Sequence, residues 1–560
     1  MLNKSDYKID KSAAELTEEQ LLQWQNEKVN ERIWKKDPTI WRKDPADQKE
    51  LADRLGWLDL ANTMQHEIPD LERFANEIKT EFNSVVLLGM GGSSLAPEVF
   101  FKTYGSKEGY PRLTILDSTH PLSVKQIIDS HELQKTLFIV SSKSGGTVET
   151  MSFFYTFFNE IKKVYSKPGK HFIAITDPGS GLEKLARQNE FRKIFSTPSD
   201  VGGRYSALTF FGMVPAALIG MDLNLFLSAA IEMTDKCRPE ISVKENPSFY
   251  LGALMGKLAL CGKDKLTFFT SPKISSFSVW AEQLIAESTG KDDKGILPIA
   301  DEDYKSPEVY GNDRVFVFIK LQNDINDELE KAYNELSGKK YPIVNIELEN
   351  IYDLAQEFYR WEMATALAGA AMNIHPFDQP NVQLAKTMAT ESLNAFRNTG
   401  ALPQEEYKLK DGNVFFFGEA NANSGKEYLN NFLNGLKPNN YIAINAFIPM
   451  TKLNEDILQS FRLKLRDKYK ISTTVGFGPR FLHSTGQLHK GGANDGYFIE
   501  ITSDIDFDLD VPGQGYSYGV LVNAQALGDL KALRSKDRKV IRINISGDLD
   551  KGLKFIADLI

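Results

Sequence analysis

The sequence predicts an α/β protein whose parallel sheets are covered by helices. Three observations predict it. Ser84 to Leu88 and Phe138 to Ser141 are short apolar runs that break at turns of glycine and serine and resume as helices. Further short apolar runs alternate with helical stretches, the pattern of a parallel sheet with crossover helices. From Tyr441 onward the same alternation starts again as a separate set.

Taken in order, residues 1–83 are charge-rich and mostly helical, an arm packed on the body with a start prone to fray. Residues 84–215 form a first domain with strands at Ser84 to Leu88, Leu113 to Leu116, Leu137 to Val140, Phe172 to Thr176 and Lys193 to Phe195. A helical connection covers 216–263. A second domain, 264–400, has strands near Leu266 to Phe269, Val315 to Lys320 and Ile343 to Ile346, closed by helices beginning near Ile351 and Val382. The last unit, 401–560, has strands at Ile442 to Phe447, Thr473 to Gly476, Phe498 to Ile501 and Val540 to Ile543.

Composition narrows the function classes. A chain of 560 residues that is 42% apolar splits into several domains with large cores. Two cysteines, Cys237 and Cys261, without metal-ligand spacing, argue against a disulfide framework and a structural zinc site. The N-terminus is charged and the apolar runs are short or broken by Pro215, so no membrane segment and a cytoplasmic location are expected. A net charge of −9 disfavours nucleic acid as a partner, and means that an anionic ligand must be held by local groups.

Those local groups lie in the two turns. Ser142, Lys143, Ser144, Gly145, Gly146 and Thr147 stand where a strand gives way to a helix carrying Thr150 in its first turns. Helix N-termini expose unpaired N–H groups and favour anions, hydroxyls add donors, and glycines let the backbone close on a ligand. A well-capped strand-to-helix turn is the plain alternative. The upstream turn, Gly89-Met90-Gly91-Gly92-Ser93-Ser94, has Ser94 where a dinucleotide fingerprint needs its third glycine, and there is no Walker A motif. Two such turns in one sheet suit a sugar phosphate, one holding the phosphoryl group and the other, with Gly92 and Ser93, the sugar hydroxyls.

Helical phase singles out further residues. With Trp280 at the centre of an apolar stripe, Gln283, Leu284 and Glu287 share its side and Glu282 points away. A carboxylate on a core face loses water, which suits it to proton transfer near neutral pH, although a structural ion pair would explain it too. Val382, Lys386, Ala389, Leu393 and Phe396 also share a stripe, which places Lys386 among apolar neighbours, as a functional or a snorkelling lysine. Arg204 follows Gly202-Gly203, which permit close backbone approach, and a fixed guanidinium there would stabilise a developing oxyanion; a surface salt bridge is the plain alternative, and it explains the charge but not the glycine pair.

The stretches GMGGSS, SSKSGGTVET, VGGRYS, EQLIAESTGK and PFDQPNVQLAK, in this order from Gly89 to Lys386, resemble the successive signatures of the glucose-6-phosphate isomerase family, which is built on two sugar-isomerase (SIS) domains. GFGPRFLHSTGQLHKGG and YSYGVLVNAQALGDLKALR more narrowly resemble the isomerase half of bifunctional transaldolase/glucose-6-phosphate isomerases. The isomerase signatures begin within the first hundred residues, so the isomerase alone is expected. The resemblance implies two SIS-type domains with helix-covered parallel sheets, an N-terminal arm and a C-terminal α/β unit.

It also implies roles. Glu287 in ESTGK would be the base that moves a proton between C2 and C1, Arg204 would stabilise the enediolate, and Lys386 would act near the ring oxygen. Gln379 would position substrate. The family's ring-opening histidine normally lies between the ESxGK and FDQ segments, where the chain has only His375, immediately before the FDQ segment. His483, in HSTGQ, resembles the surroundings of that histidine and is the expected replacement; His489 is the second choice, and turn-capping by both is the plain alternative. No cofactor is implied. The expected substrates are glucose 6-phosphate and fructose 6-phosphate, and members are commonly dimers, so a homodimer is compatible with the resemblance. A SIS-type regulator that only binds sugar phosphates and an isomerase with mannose 6-phosphate side activity remain alternatives.

Overall fold

In the computed structural model, which describes residues 2–419 and 422–560, the chain divides into two compact units. The first comprises residues up to Asp117, His131–Asp301 and Arg314–Asp378. The second comprises Ser118–Ser130, Glu302–Asp313 and Gln379–Ile560. Among the described residues no helix is long and apolar enough to cross a membrane.

The first unit holds strands β1 (Lys4–Lys8), β2 (Ser84–Gly89), β3 (Arg112–Leu116), β4 (Thr136–Ser141), β5 (Phe172–Thr176), β6 (Lys193–Ser196), β7 (Lys265–Thr270), β8 (Leu297–Ile299), β9 (Arg314–Leu321) and β10 (Ile343–Leu348). One sheet runs β3-β2-β4-β5-β6 with every pair parallel. β4 is buried throughout, as apolar runs covered on both faces by helices must be. The five strands expected here agree with the structure to within a residue at each end. β2 and β4 are neighbours although β3 intervenes in the chain, so the strand order reverses between them. In open α/β sheets a crevice forms beyond the carboxyl ends of the strands at such a point, and both glycine–serine turns leave the sheet there.

The second sheet of this unit runs β1-β10-β9-β7-β8, with β1 antiparallel on its edge and the other pairs parallel. The expected helical start of the arm is therefore a strand, and it is tied down. The Asn3 N–H donates to Gln356 Oε1 at 2.8 Å, and Arg360 donates to the Asn3 carbonyl at 3.1 Å. A strand whose side chains alternate in exposure carries little apolar signal, which is why sequence missed it. The helix Leu354–Met372 is buried along almost its whole length and packs on Pro247–Leu260. It also supports the helix Phe277–Thr289, where Trp280 meets Phe358 with ring centroids 4.4 Å apart.

The second unit holds β11 (Leu409–Asp411), β12 (Val414–Phe417), β13 (Tyr441–Phe447), β14 (Ser472–Phe477), β15 (Gly496–Ser503) and β16 (Lys539–Ile545). Their order is β11-β12-β16-β15-β13-β14. The four strands expected from sequence form its parallel part, and a hairpin of β11 and β12 joins antiparallel to β16. The helix Pro380–Thr399 packs against Tyr518–Ser535 within this unit.

Candidate active site

The turn after β4 leads into the helix Val148–Lys162, and its serine hydroxyls are bonded to the turn's own backbone, with no side chain capping the helix at Thr147. Gly145 N–H donates to Ser142 Oγ and Gly146 N–H to Ser144 Oγ, each at 3.1 Å, and Ser142 Oγ lies 3.2 Å from Thr147 Oγ1. Because Ser144 Oγ accepts from the turn, its proton is left to donate to an anion, and the Ser142–Thr147 hydroxyl pair uses one of its two protons internally and leaves the other. Gly145 has φ +73°, and a Cβ there would overlap the Leu182 backbone, so glycine is required. Thr150 is fully buried, its hydroxyl without a hydrogen-bond partner among the described residues. Lys143 is placed differently from the simple expectation of a cation offered to the ligand. Its ammonium pairs with Asp177 at 2.6 Å and donates to the Ser199 carbonyl at 3.0 Å, so it braces the turn.

The upstream turn meets the Arg204 segment. Gly92 abuts Gly203, Ser206 Oγ donates to the Gly92 carbonyl at 3.4 Å, and Ser93 is half-buried beside it in sequence. Arg204 is 4% exposed and held on several sides. Its Nε donates to Ser288 Oγ at 2.8 Å, one terminal nitrogen donates to the carbonyls of Pro376 and Asp378 at 2.7 and 2.9 Å, and the other lies 3.6 Å from Glu287 Oε1. Glu287 is 5% exposed and accepts from Gln283 Nε2 at 3.2 Å. The helical phase read from sequence thus places Gln283 and Glu287 correctly. The arrangement presents a buried carboxylate beside a fixed cation, which can take up a proton while its neighbour holds a developing oxyanion.

Sequence reasoning missed the groups that fix this pair. Lys291, 4% exposed, donates to the carbonyls of Ser288 at 3.1 Å and His375 at 2.7 Å, and pairs with Asp378 at 3.1 Å. His375 Nδ1 accepts the N–H groups of Phe377 and Asp378 at 3.2 and 3.1 Å, shaping the turn. Burial pushes this imidazole down to about 4, against the pull of Asp378 and helped by Lys291 and Arg204, so it is neutral. The signal was present in the motifs, since Lys291 ends ESTGK and Asp378 stands inside PFDQ, but neither spacing shows that they meet.

The remaining candidates lie in the second unit. Gln379 is exposed at the start of the helix Pro380–Thr399. Lys386 is exposed too, which corrects the expected stripe: the helix buries Val382, Ala385, Ser392 and Leu393, and Lys386 falls one position off that face. His483 is half-buried in the short turn Arg480–His483 that follows β14. His489 is 2% exposed, its ring packed near Phe498, Phe481 and Tyr441 at centroid distances of 5.0, 6.0 and 6.4 Å. Burial above all, then Lys490 and Arg538, holds it well below the ordinary histidine value, so it serves the core. Among the described residues no cluster of His, Cys, Asp and Glu could hold a metal ion.

Comparison with known proteins places this geometry. Residues 71–297 match the family model described as phosphoglucose isomerase. A probable glucose-6-phosphate isomerase of Methanococcus maripaludis is 29% identical over 403 residues, covering 65% of this chain and 89% of that protein. A glucose-6-phosphate isomerase of Carboxydothermus hydrogenoformans is 28% identical, covering 65% and 90%. Among solved structures, a glucose-6-phosphate isomerase from Chlamydia trachomatis has the same fold over 70% of this chain and 89% of its own, with a TM-score of 0.54 and 18% identity.

Proposed function

We propose that this chain, whose residues 71–297 belong to the phosphoglucose isomerase family, interconverts glucose 6-phosphate and fructose 6-phosphate. The observation that carries the reading is Glu287, buried between Gln283 and the clamped Arg204. A protein that only bound sugar phosphates would gain nothing from burying that carboxylate beside a cation at the end of a helix.

The phosphate docks on the turn Ser142 to Thr147, at the N-terminus of the helix Val148–Lys162 with its unpaired N–H groups and the turn's hydroxyls, and Thr150 lies one turn further on. Gly92 and Ser93 line the sugar side. Binding energy from the phosphate, remote from the reacting carbons, fixes their position. His483, assigned by the HSTGQ resemblance, moves a proton between ring oxygen and hydroxyl to open the ring, with Lys386 and Gln379 assisting as the family motif implies. Glu287 then takes the C2 proton and returns it to C1 through a cis-enediolate whose charge Arg204 stabilises. While the carbon-bound proton passes through the Glu287 carboxylate, the hydroxyl proton passes from O2 to O1 of the enediolate, so C2 is oxidised as C1 is reduced and no external oxidant or reductant is consumed.

The test is a coupled assay of purified protein on fructose 6-phosphate and, in parallel, mannose 6-phosphate. Turnover of fructose 6-phosphate to glucose 6-phosphate is expected. Saturable binding of both sugars without turnover would overturn the reading in favour of a binding protein, and turnover of mannose 6-phosphate alone would move the substrate.

A further inference from the structure

Arg204 and Lys291 grip the same short turn. Arg204 donates to the carbonyls of Pro376 and Asp378, and Lys291 donates to the carbonyl of His375 and pairs with the Asp378 carboxylate. They also share Ser288: Arg204 Nε donates to its hydroxyl and Lys291 to its carbonyl. Six contacts from two buried cations therefore converge on residues 375–378 and on the end of the helix that carries Glu287.

We propose that Lys291 is a positioning residue for proton transfer, acting through the turn 375–378 to hold the Arg204 guanidinium against Glu287. This rests on the isomerase reading above. The physical case is geometric. Two of the three hydrogen bonds that hold the guanidinium are only as fixed as the carbonyls that accept them. Their turn is anchored by the ammonium of Lys291 and by its own N–H groups on His375 Nδ1, while Lys291 also holds the carbonyl of Ser288, whose hydroxyl takes the third. Without that anchor Arg204 keeps its charge and loses its place, and misplacement by even an ångström erodes catalysis that depends on alignment.

The charged surroundings agree. The groups facing Lys291 are Arg204 from the segment Gly203–Tyr205, Asp378 from the turn, and Glu287 from the helix. Burial first, then Arg204, pushes its ammonium down to about 7, with Asp378 and Glu287 pulling the other way.

The proposal is tested by Lys291→Met, Arg204→Lys and the double variant, assayed on fructose 6-phosphate. Lys291→Met is expected to lower kcat at least tenfold with KM within about threefold of wild type, since the phosphate turn is untouched. Because the lysine acts through Arg204, the double variant is expected to be no more than about twofold slower than Arg204→Lys alone. Losses that multiply, or near-normal turnover in Lys291→Met, overturn it. If Lys291→Met does not fold, Asp378→Asn removes one ligand of the ammonium and leaves the carbonyls. The same non-additivity with Arg204→Lys supports the proposal and additive losses overturn it. An inactive wild type would instead sink the isomerase reading, so the two failures are distinct.

Discussion

Gly92 and Gly203 approach so closely that a Cβ on Gly92 would overlap the Gly203 carbonyl oxygen. The turn after β2 is thereby pressed against the segment that carries Arg204, and a methyl group must move one or the other. Gly92→Ala is expected to lower turnover at least tenfold, with a stability loss of about 1–3 kcal/mol from overpacking. Steady-state kinetics and a urea midpoint check it; wild-type kinetics would show that the contact does not set the position of Arg204.

Glu287→Gln keeps the shape of the side chain and its bond to Gln283 within reach, but the amide cannot take a proton. Turnover is expected to fall at least about a hundredfold, with phosphate-sugar affinity nearly unchanged. Near-normal turnover would mean that another group is the base.

Ser144→Ala with Thr147→Ala removes two hydroxyls from the turn after β4 and leaves Glu287 and Arg204 in place. Binding of 6-phosphorylated sugars is expected to weaken by roughly 1–3 kcal/mol per charge-assisted bond lost. Isothermal titration with a phosphorylated sugar acid reads this directly, and unchanged affinity would place the anion elsewhere.

His483 and His489 are separated by environment: the first is half-buried and the second is sealed among aromatic rings. His483→Ala is expected to slow the cyclic substrate most, sparing proton exchange on an acyclic analogue. His489→Ala is expected to lower the thermal midpoint and leave that selectivity unchanged. The reverse pattern would give ring opening to His489.

His375 predicts an acid-side loss of stability. Its folded value, about 4, lies below the ordinary histidine value of 6.5 because burial disfavours the charged ring. The unfolded chain therefore binds a proton that the folded one refuses, and stability present above 6.5 is lost as pH falls toward 4. At pH 5 the loss from this residue is roughly 2 kcal/mol. Urea midpoints at pH 7.5 and 5 should differ less in His375→Asn, whose amide oxygen can replace Nδ1 as acceptor; an unchanged difference would remove His375 from the account.

Much of this was legible in the chain. The strands β2 to β6 announce themselves because a parallel strand covered on both faces is apolar at every position. The phase of Trp280, Gln283 and Glu287 was equally readable, because that helix is regular and its inward face crowded. Lys386 shows the limit of the same arithmetic. A stripe through Val382 and Leu393 includes it, and a shift of one residue, to Ala385, turns the lysine outward.

What the sequence determined by itself was local: strand periodicity, the glycines and hydroxyls of the turns, and a carboxylate facing inward. What only the tertiary structure decided was pairing across long separations. Lys143 finds Asp177, the first residues of the arm join β10 as an edge strand, and Arg204 and Lys291 meet on a turn more than eighty residues away from either. The reason is physical. Periodicity records which way a side chain points within its own element, whereas a buried charge must be met by whichever partner the packed layers bring within a few ångströms, and that partner leaves no mark at a fixed spacing in the chain.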